Sequence, residues 1–114
     1  MIAEIIVTAL LAALFAFAGL IKLFGVRQSL EARDHFGIQP VQWRLIGLLE
    51  LAGVAGVLVG LAWPPIGVAA AIGLALLVLG AIVFHGRASD SAADTAPAVI
   101  GLGLAVATAI LQSI

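Results

Sequence analysis

The sequence predicts an all-α, polytopic membrane protein, a bundle of four transmembrane helices with a short interfacial helix in its first loop. Of the 114 residues, 64% are hydrophobic and only 10% are charged, whereas soluble domains carry about 25% charged residues. Four apolar stretches are each long enough to cross a hydrocarbon core, and polar loops or prolines separate them. Because backbone groups find no water partner in lipid, each stretch must be helical.

The first predicted span covers about residues 4–24. Between Glu4 and Lys22 the only polar side chain is that of Thr8, and this run has about the minimum length that crosses a bilayer core. A secretory signal peptide would begin with positive charge, but the first charged side chain here is that of Glu4. We therefore expect this segment to remain in the protein.

The polar stretch that follows predicts a short helix lying on the membrane surface. Residues 25–39 combine charged side chains with apolar ones such as Leu30 and Phe36, which can rest on the interface. Gly37 can take the left-handed conformation that ends a helix. The first loop is therefore expected to be partly helical.

Prolines divide the remaining apolar sequence. Pro40 suits the start of the second span, about residues 41–62, because its missing N–H falls where a helix has no internal partner. No charge occurs in residues 51–84, so the break must come from Trp63-Pro64-Pro65, which predicts a tight hairpin. The third span then covers about residues 66–85.

The fourth predicted span covers about residues 96–112. Asp94 or Thr95 would cap its start, and Pro97 would lie in its first turn. The four spans together predict a single transmembrane domain over residues 1–114, without a soluble domain.

The positions of the cations predict the orientation. All five Lys and Arg residues lie in or beside the loops at 25–40 and 86–95. Because positively charged loops stay in the cytoplasm, these two loops are predicted to be cytoplasmic and both termini to be outside. Trp43 and Trp63, near opposite ends of the second span, are predicted to form an aromatic belt.

Small residues predict where the helices meet, since lipid gives no hydrophobic drive for helix association and close backbone approach must replace it. Gly56 and Gly60 form a GxxxG motif in the second span. The motif is predicted to mark a contact within the bundle, and the alternative is a contact between subunits of a homo-oligomer.

Ionisable residues within the spans are candidate functional residues, because a charge at the centre of a membrane helix costs about 2.5–3.5 kcal/mol on insertion scales. Glu50 lies roughly 9 Å along the helix from Arg44, which marks the interface. Lys22 and His85 end the first and third spans at the same predicted face. The sequence therefore predicts a ligand-binding or proton-handling cluster of Lys22, Glu50 and His85, with Arg44 at its rim.

A structural role for these residues is the alternative interpretation, since a Lys–Glu pair can fix helix register and a terminal His or Arg commonly anchors a span. His35 and Asp90 are interpreted as residues of solvated loops. No pattern predicts a catalytic residue or a metal site, and the absence of cysteine excludes disulfides and thiolate ligands. The net charge of −1 excludes electrostatic attraction to nucleic acid.

Four segments carry ordered glycines and polar residues between apolar ones: FAGLIKL at 17–23, FGIQP at 36–40, IGLLELAG at 46–53 and GAIVFH at 80–85. Together they resemble the DoxX-like family of small four-helix membrane proteins, and the resemblance runs over nearly the whole chain. It implies a multi-pass protein of the bacterial inner membrane. It also points again to Lys22, Glu50 and His85.

The leading functional hypothesis is a small non-catalytic membrane subunit that binds a lipid-like or quinone-like molecule, or a partner protein, through the polar cluster. Some members of the family are named for a thiosulfate:quinone oxidoreductase, so the resemblance implies a quinone as cofactor and a membrane redox protein as partner. The two alternatives are a component of a quinone-linked oxidoreductase and a small proton-coupled transporter. In every case the lipid bilayer surrounds the protein.

Overall fold

The computed structural model describes residues 1–114 and contains five helices. These are α1 (Ile2–Leu23), α2 (Arg27–Phe36), α3 (Pro40–Val59), α4 (Pro64–Arg87) and α5 (Ala92–Ser113). The four longer helices are long and apolar enough to cross a membrane. The predicted all-α fold with four spans is therefore confirmed, and α2 is the short helix that was predicted in the first loop.

The four long helices form a closed bundle in which each packs mainly against two others, in the cyclic order α1, α3, α4, α5. Successive long helices run in opposite directions, because the start of α1 and the end of α5 meet beside the α3–α4 turn. We call the end with α2 and the α4–α5 loop, residues 88–91, the α2 end. The opposite end, with residues 60–63 and both termini, is the far end.

The bundle has a small apolar core and an apolar exterior. Seven side chains form the core: Leu11, Phe15, Val57, Ala71, Leu74, Val78 and Ala105. Many large apolar side chains face outward instead, among them Phe17 and Leu76. Such a surface suits a lipid surrounding, in which outward apolar groups cost nothing and close packing must hold the helices together.

The GxxxG motif of α3 packs against α4. A Cβ atom at Gly56 would lie 2.5 Å from the Cβ of Ala70, and one at Gly67 would lie 2.6 Å from the Cα of Gly60. Such approaches are open only to glycine, which lacks a side chain. The motif therefore forms a contact within the bundle.

The turn between α3 and α4 differs in detail from the predicted hairpin. Helix α3 ends at Val59, with Gly60 as its C-cap, and α4 already begins at Pro64. The two prolines thus occupy the first turn of α4, where their missing N–H groups leave no helical hydrogen bond unmade. The turn itself consists of residues 60–63.

Helix α5 begins earlier than predicted, at Ala92. Its N-cap is Ser91, whose Oγ accepts a hydrogen bond of 3.1 Å from the backbone N–H of Asp94. The predicted cap at Asp94 or Thr95 is therefore wrong. Serine is among the preferred N-cap residues, and Asp94 instead places its carboxylate in the first turn, where the helix dipole favours negative charge.

Candidate functional site

Helices α1 and α3 come into close contact at Gly19 and Gly47. A Cβ atom on either glycine would lie 2.9 Å from the carbonyl oxygen of the other. Only residues without a side chain permit such a crossing. Each glycine stands one helical turn before a charged residue, so the crossing brings Lys22 and Glu50 together.

Lys22 and Glu50 form an ion pair inside the bundle. Their Nζ and Oε1 atoms are 2.8 Å apart, and the two side chains are 15% and 6% exposed. Side chains on a helix lean toward its N-terminus, so Lys22 leans inward from the α2 end while Glu50 leans back toward it. The pairing of these two predicted site residues follows from their positions on antiparallel helices.

The carboxylate of Glu50 retains unused hydrogen-bonding capacity. Its 2.8 Å contact with Lys22 is the one polar contact that it makes within the protein, although a carboxylate offers about four acceptor positions. The ammonium group of Lys22 donates to the carbonyl oxygen of Ala18, at 3.4 Å. Glu50 therefore has Lys22 as its one partner and could accept a further hydrogen bond from a bound molecule.

The indole ring of Trp43 covers the ammonium group of Lys22. The Nζ atom lies 5.1 Å from the ring centroid, which is a cation–π distance. The indole N–H donates a 2.9 Å hydrogen bond to Oγ of Ser29 on α2. Trp43 is only 6% exposed, whereas Trp63 is 68% exposed. The prediction of a belt residue is therefore wrong for Trp43, because both its ring face and its N–H find partners inside the protein.

His85 belongs to a second cluster, centred on Asp90. The Oδ2 atom of Asp90 lies 2.6 Å from Nδ1 of His85, and Oδ1 lies 2.8 Å from Nε2 of His35. No hydrogen bond or ion pair joins His85 to Lys22 or Glu50. The cluster predicted from the sequence is thus two separate groups, which we call the Lys–Glu pair and the His–Asp–His cluster.

The His–Asp–His cluster is more enclosed than a solvated loop. Only 11% of the Asp90 side chain is exposed, because an imidazole covers each of its oxygens. The interpretation of Asp90 as a solvated residue is therefore wrong, while His35 keeps about half of its surface exposed. No group of His, Asp and Glu side chains in the protein is arranged to hold a metal ion.

The hydrogen bond from His35 and, to a smaller extent, the one from His85 hold the pKa of Asp90 below its ordinary value of 3.8. Both bonds favour the charged carboxylate. For an acid with a depressed pKa in the folded state, the stabilising contribution is complete above the unfolded-state value. The contribution of Asp90 is therefore present above about pH 4 and is lost as the pH falls through the folded-state pKa.

Arg44 lies apart from both groups. It is exposed on α3, toward the α2 end, and no carboxylate lies within ion-pair distance of it. Of the four predicted site residues, the structure thus brings together Lys22 and Glu50, and it separates His85 and Arg44 from them.

A polar contact at the far end was not predicted. The amide Nε2 of Gln112 donates to Oγ1 of Thr8 at 3.1 Å and to the carbonyl oxygen of Val57 at 3.0 Å. All three residues are buried, and the amide oxygen of Gln112 rests against Gly60 and Gly67. This contact ties α5 to α1 and α3. Its one signal in the sequence is Thr8, the single polar residue between Glu4 and Lys22.

An apolar groove of about 330 Å³ lies between α3 and α4. Its lining consists of Leu49, Ala52, Gly53, Ala70, Gly73, Leu74 and Leu77. Leu49 directly precedes Glu50, so the groove begins at the level of the Lys–Glu pair. From there it runs along α3 toward the far end.

Comparison with known proteins gives one match. The model of the DoxX-like family matches residues 6–108, a stretch that includes all of α3 and α4, most of α1 and α5, the Lys–Glu pair and the His–Asp–His cluster. No curated protein and no solved structure matches the chain. A match over nearly the whole chain shows the family, and this multi-pass membrane protein belongs to the DoxX-like family.

Proposed function

We propose that the protein is a small non-catalytic subunit of the bacterial inner membrane, which binds a lipid-like or quinone-like molecule through the Lys–Glu pair. The observation that carries this proposal is the buried Glu50 carboxylate, whose one polar partner in the protein is Lys22, although a carboxylate can accept several hydrogen bonds. Apolar residues of similar size would hold two helices together as well as a buried ion pair does. A pair with unused acceptor capacity therefore favours a role in binding.

The chemistry of the surroundings favours a molecule with a polar head and an apolar tail. Lys22 could donate to a carbonyl oxygen of the head, and Glu50 could accept from a hydroxyl group or exchange a proton with it. The groove between α3 and α4 begins at Leu49, at the level of Glu50, and offers an apolar surface to the tail. A quinone, its quinol or a neutral lipid meets these requirements.

Binding of a short-chain ubiquinone analogue to the purified protein tests the proposal. We expect Glu50→Gln to weaken binding about tenfold or more, because a hydrogen bond to a charged group contributes about 1.5–3 kcal/mol. The matched control is Glu4→Gln, which changes a carboxylate near the start of α1, at the far end. Native mass spectrometry of the wild type is expected to find a co-purified quinone or lipid.

The proposal fails if no such molecule co-purifies and the analogue binds wild type and Glu50→Gln with equal affinity. Two further assays separate it from the alternatives. Quinone turnover with an added donor would indicate an oxidoreductase component. Proton-coupled flux in proteoliposomes that disappears in Glu50→Gln would indicate a transporter. We expect binding without either activity.

We also propose that the α2 end faces the cytoplasm, with both termini outside. All five Lys and Arg residues lie toward that end, as the positive-inside rule requires. The chain has no cysteine, so single cysteines report accessibility without interference. We expect a membrane-impermeant maleimide to label Ser113→Cys in intact spheroplasts and Gln28→Cys only after permeabilisation. The reverse pattern would overturn the orientation.

A further inference from the structure

Helix α2 is attached to the bundle through two glycine joints. Gly25 precedes it with φ of 66°, and Gly37 ends it with φ of 70°. No atom of another element lies within 4 Å of a Cβ built on either glycine. Since glycine changes between left- and right-handed backbone conformations at little cost, the chain can reorient at both ends of α2.

Near its beginning, α2 is held against Trp43 of α3. Ser29 is buried and accepts the hydrogen bond from Trp43, whose ring covers the ammonium group of Lys22. The sequence of contacts runs from α2 through Trp43 and Lys22 to Glu50. Helix α2 therefore rests, at the α2 end of the bundle, on the ring that covers Lys22.

The other end of α2 is held by the His–Asp–His cluster. His35 binds Asp90 in the α4–α5 loop, and Asp90 also binds His85 of α4. The neighbouring ring of Phe36 packs edge-on against His85, with centroids 4.9 Å apart, and contacts Phe84 at 5.9 Å. These contacts fasten the end of α2 to α4 and the α4–α5 loop, whereas Trp43 holds its beginning to α3.

The other charged groups near Asp90 are engaged elsewhere. On α2, Arg33 pairs with Asp34 at 3.0 Å. On α4, Arg87 lies over the ring of Phe84. On α5, Asp94 lies in the first turn of the helix, where its backbone N–H donates to the Ser91 cap. The two imidazoles are therefore the groups whose charge sets the strength of the contacts to Asp90.

We propose that α2 is a lid over the Lys–Glu pair, that Asp90 between His35 and His85 is its latch, and that the latch weakens as the imidazoles lose their protons. An imidazolium is held to a carboxylate by the attraction of opposite charges as well as by the hydrogen bond, whereas a neutral imidazole keeps only the hydrogen bond. Histidine is the side chain that ordinarily changes charge between pH 5 and 8. Opening of the lid exposes the pair to a ligand, and only this last step rests on the proposed function.

Hydrogen exchange of the ligand-free protein in lipid nanodiscs tests the latch. After correction for intrinsic rates, we expect residues 27–36 of the wild type to exchange faster at pH 8 than at pH 6. Asp90→Asn is expected to accelerate exchange of this segment about tenfold at pH 6, because it removes two charge-assisted hydrogen bonds, and to abolish the pH dependence. The control Asp94→Asn lies in the neighbouring first turn of α5 and contacts neither imidazole.

His35→Gln is the second variant, because its half-exposed side chain is not required to fill the bundle. His35→Gln is expected to accelerate hydrogen exchange of residues 27–36 as Asp90→Asn does. This expectation holds even if Asp90→Asn also loosens α4 and α5. Unchanged exchange of residues 27–36 in His35→Gln, or an equal change in Asp94→Asn, overturns the proposal. No ligand is present, so this result is independent of whether the Lys–Glu pair binds one.

Discussion

Replacement of Lys22 by methionine is expected to destabilise the protein by about 3–5 kcal/mol, because it leaves the Glu50 carboxylate buried without a charge partner. Methionine keeps an unbranched side chain of comparable length, so the loss is mainly that of the ammonium group. That group is also the cation over the Trp43 ring. A change of this size is a large fraction of the total stability of a small domain.

Reversible unfolding in mixed detergent micelles measures the effect, and two variants calibrate it. The double variant Lys22→Met with Glu50→Leu removes both charges and is expected to recover most of the loss, since replacing a buried pair by apolar residues is often neutral or stabilising. Arg27→Met breaks the exposed pair with Glu31 and is expected to cost at most about 1 kcal/mol. Equal losses in the single and double variants would contradict a buried ion pair.

The double variant also separates stability from function. If the pair serves only to hold α1 against α3, the stable double variant should behave like the wild type in every other respect. If the pair binds a polar head group, the double variant should fold and yet fail to bind the ubiquinone analogue. The same protein therefore distinguishes the structural interpretation from the proposed function.

The sequence predicts how deep a residue lies in the bundle better than it predicts which neighbour the residue faces. Depth follows from the count of residues between polar ends, which predicted Lys22 and Glu50 to lie toward the same membrane face. Rotation about the helix axis depends on where small residues let two backbones approach. Gly19 and Gly47 place the Lys–Glu pair, and that crossing can be recognised only when both helices are seen together.

The same limitation explains the residues that sequence reasoning misplaced. His85 was predicted to join Lys22 because both end a span at one face, but the α4–α5 loop supplies Asp90 as a nearer partner. Trp43 was assigned to the lipid interface because tryptophan is common there. The serine that binds its N–H lies on α2, a helix whose position the hydropathy of the spans does not determine.

Substitution of Gly67 by alanine is expected to destabilise the far end of the bundle by about 1–3 kcal/mol, the usual cost of overpacking. The added Cβ would lie 2.6 Å from the Cα of Gly60 and 2.8 Å from Cδ of Gln112. The first neighbour is backbone, so α3 and α4 must move apart. The second neighbour belongs to Gln112, whose side chain makes the hydrogen bonds to Thr8 and Val57. The same movement strains these bonds.

Gly73→Ala is the matched control, on the same helix and with the same change of one methyl group. No atom lies within 4 Å of its added Cβ, and alanine favours a helix over glycine by up to about 1 kcal/mol. The two substitutions are therefore expected to change the free energy of unfolding in opposite directions, measured under the same detergent conditions as the Lys22 variants. Equal effects would show that Gly60 and Gly67 do not touch, because helix propensity alone cannot distinguish two glycines within one helix.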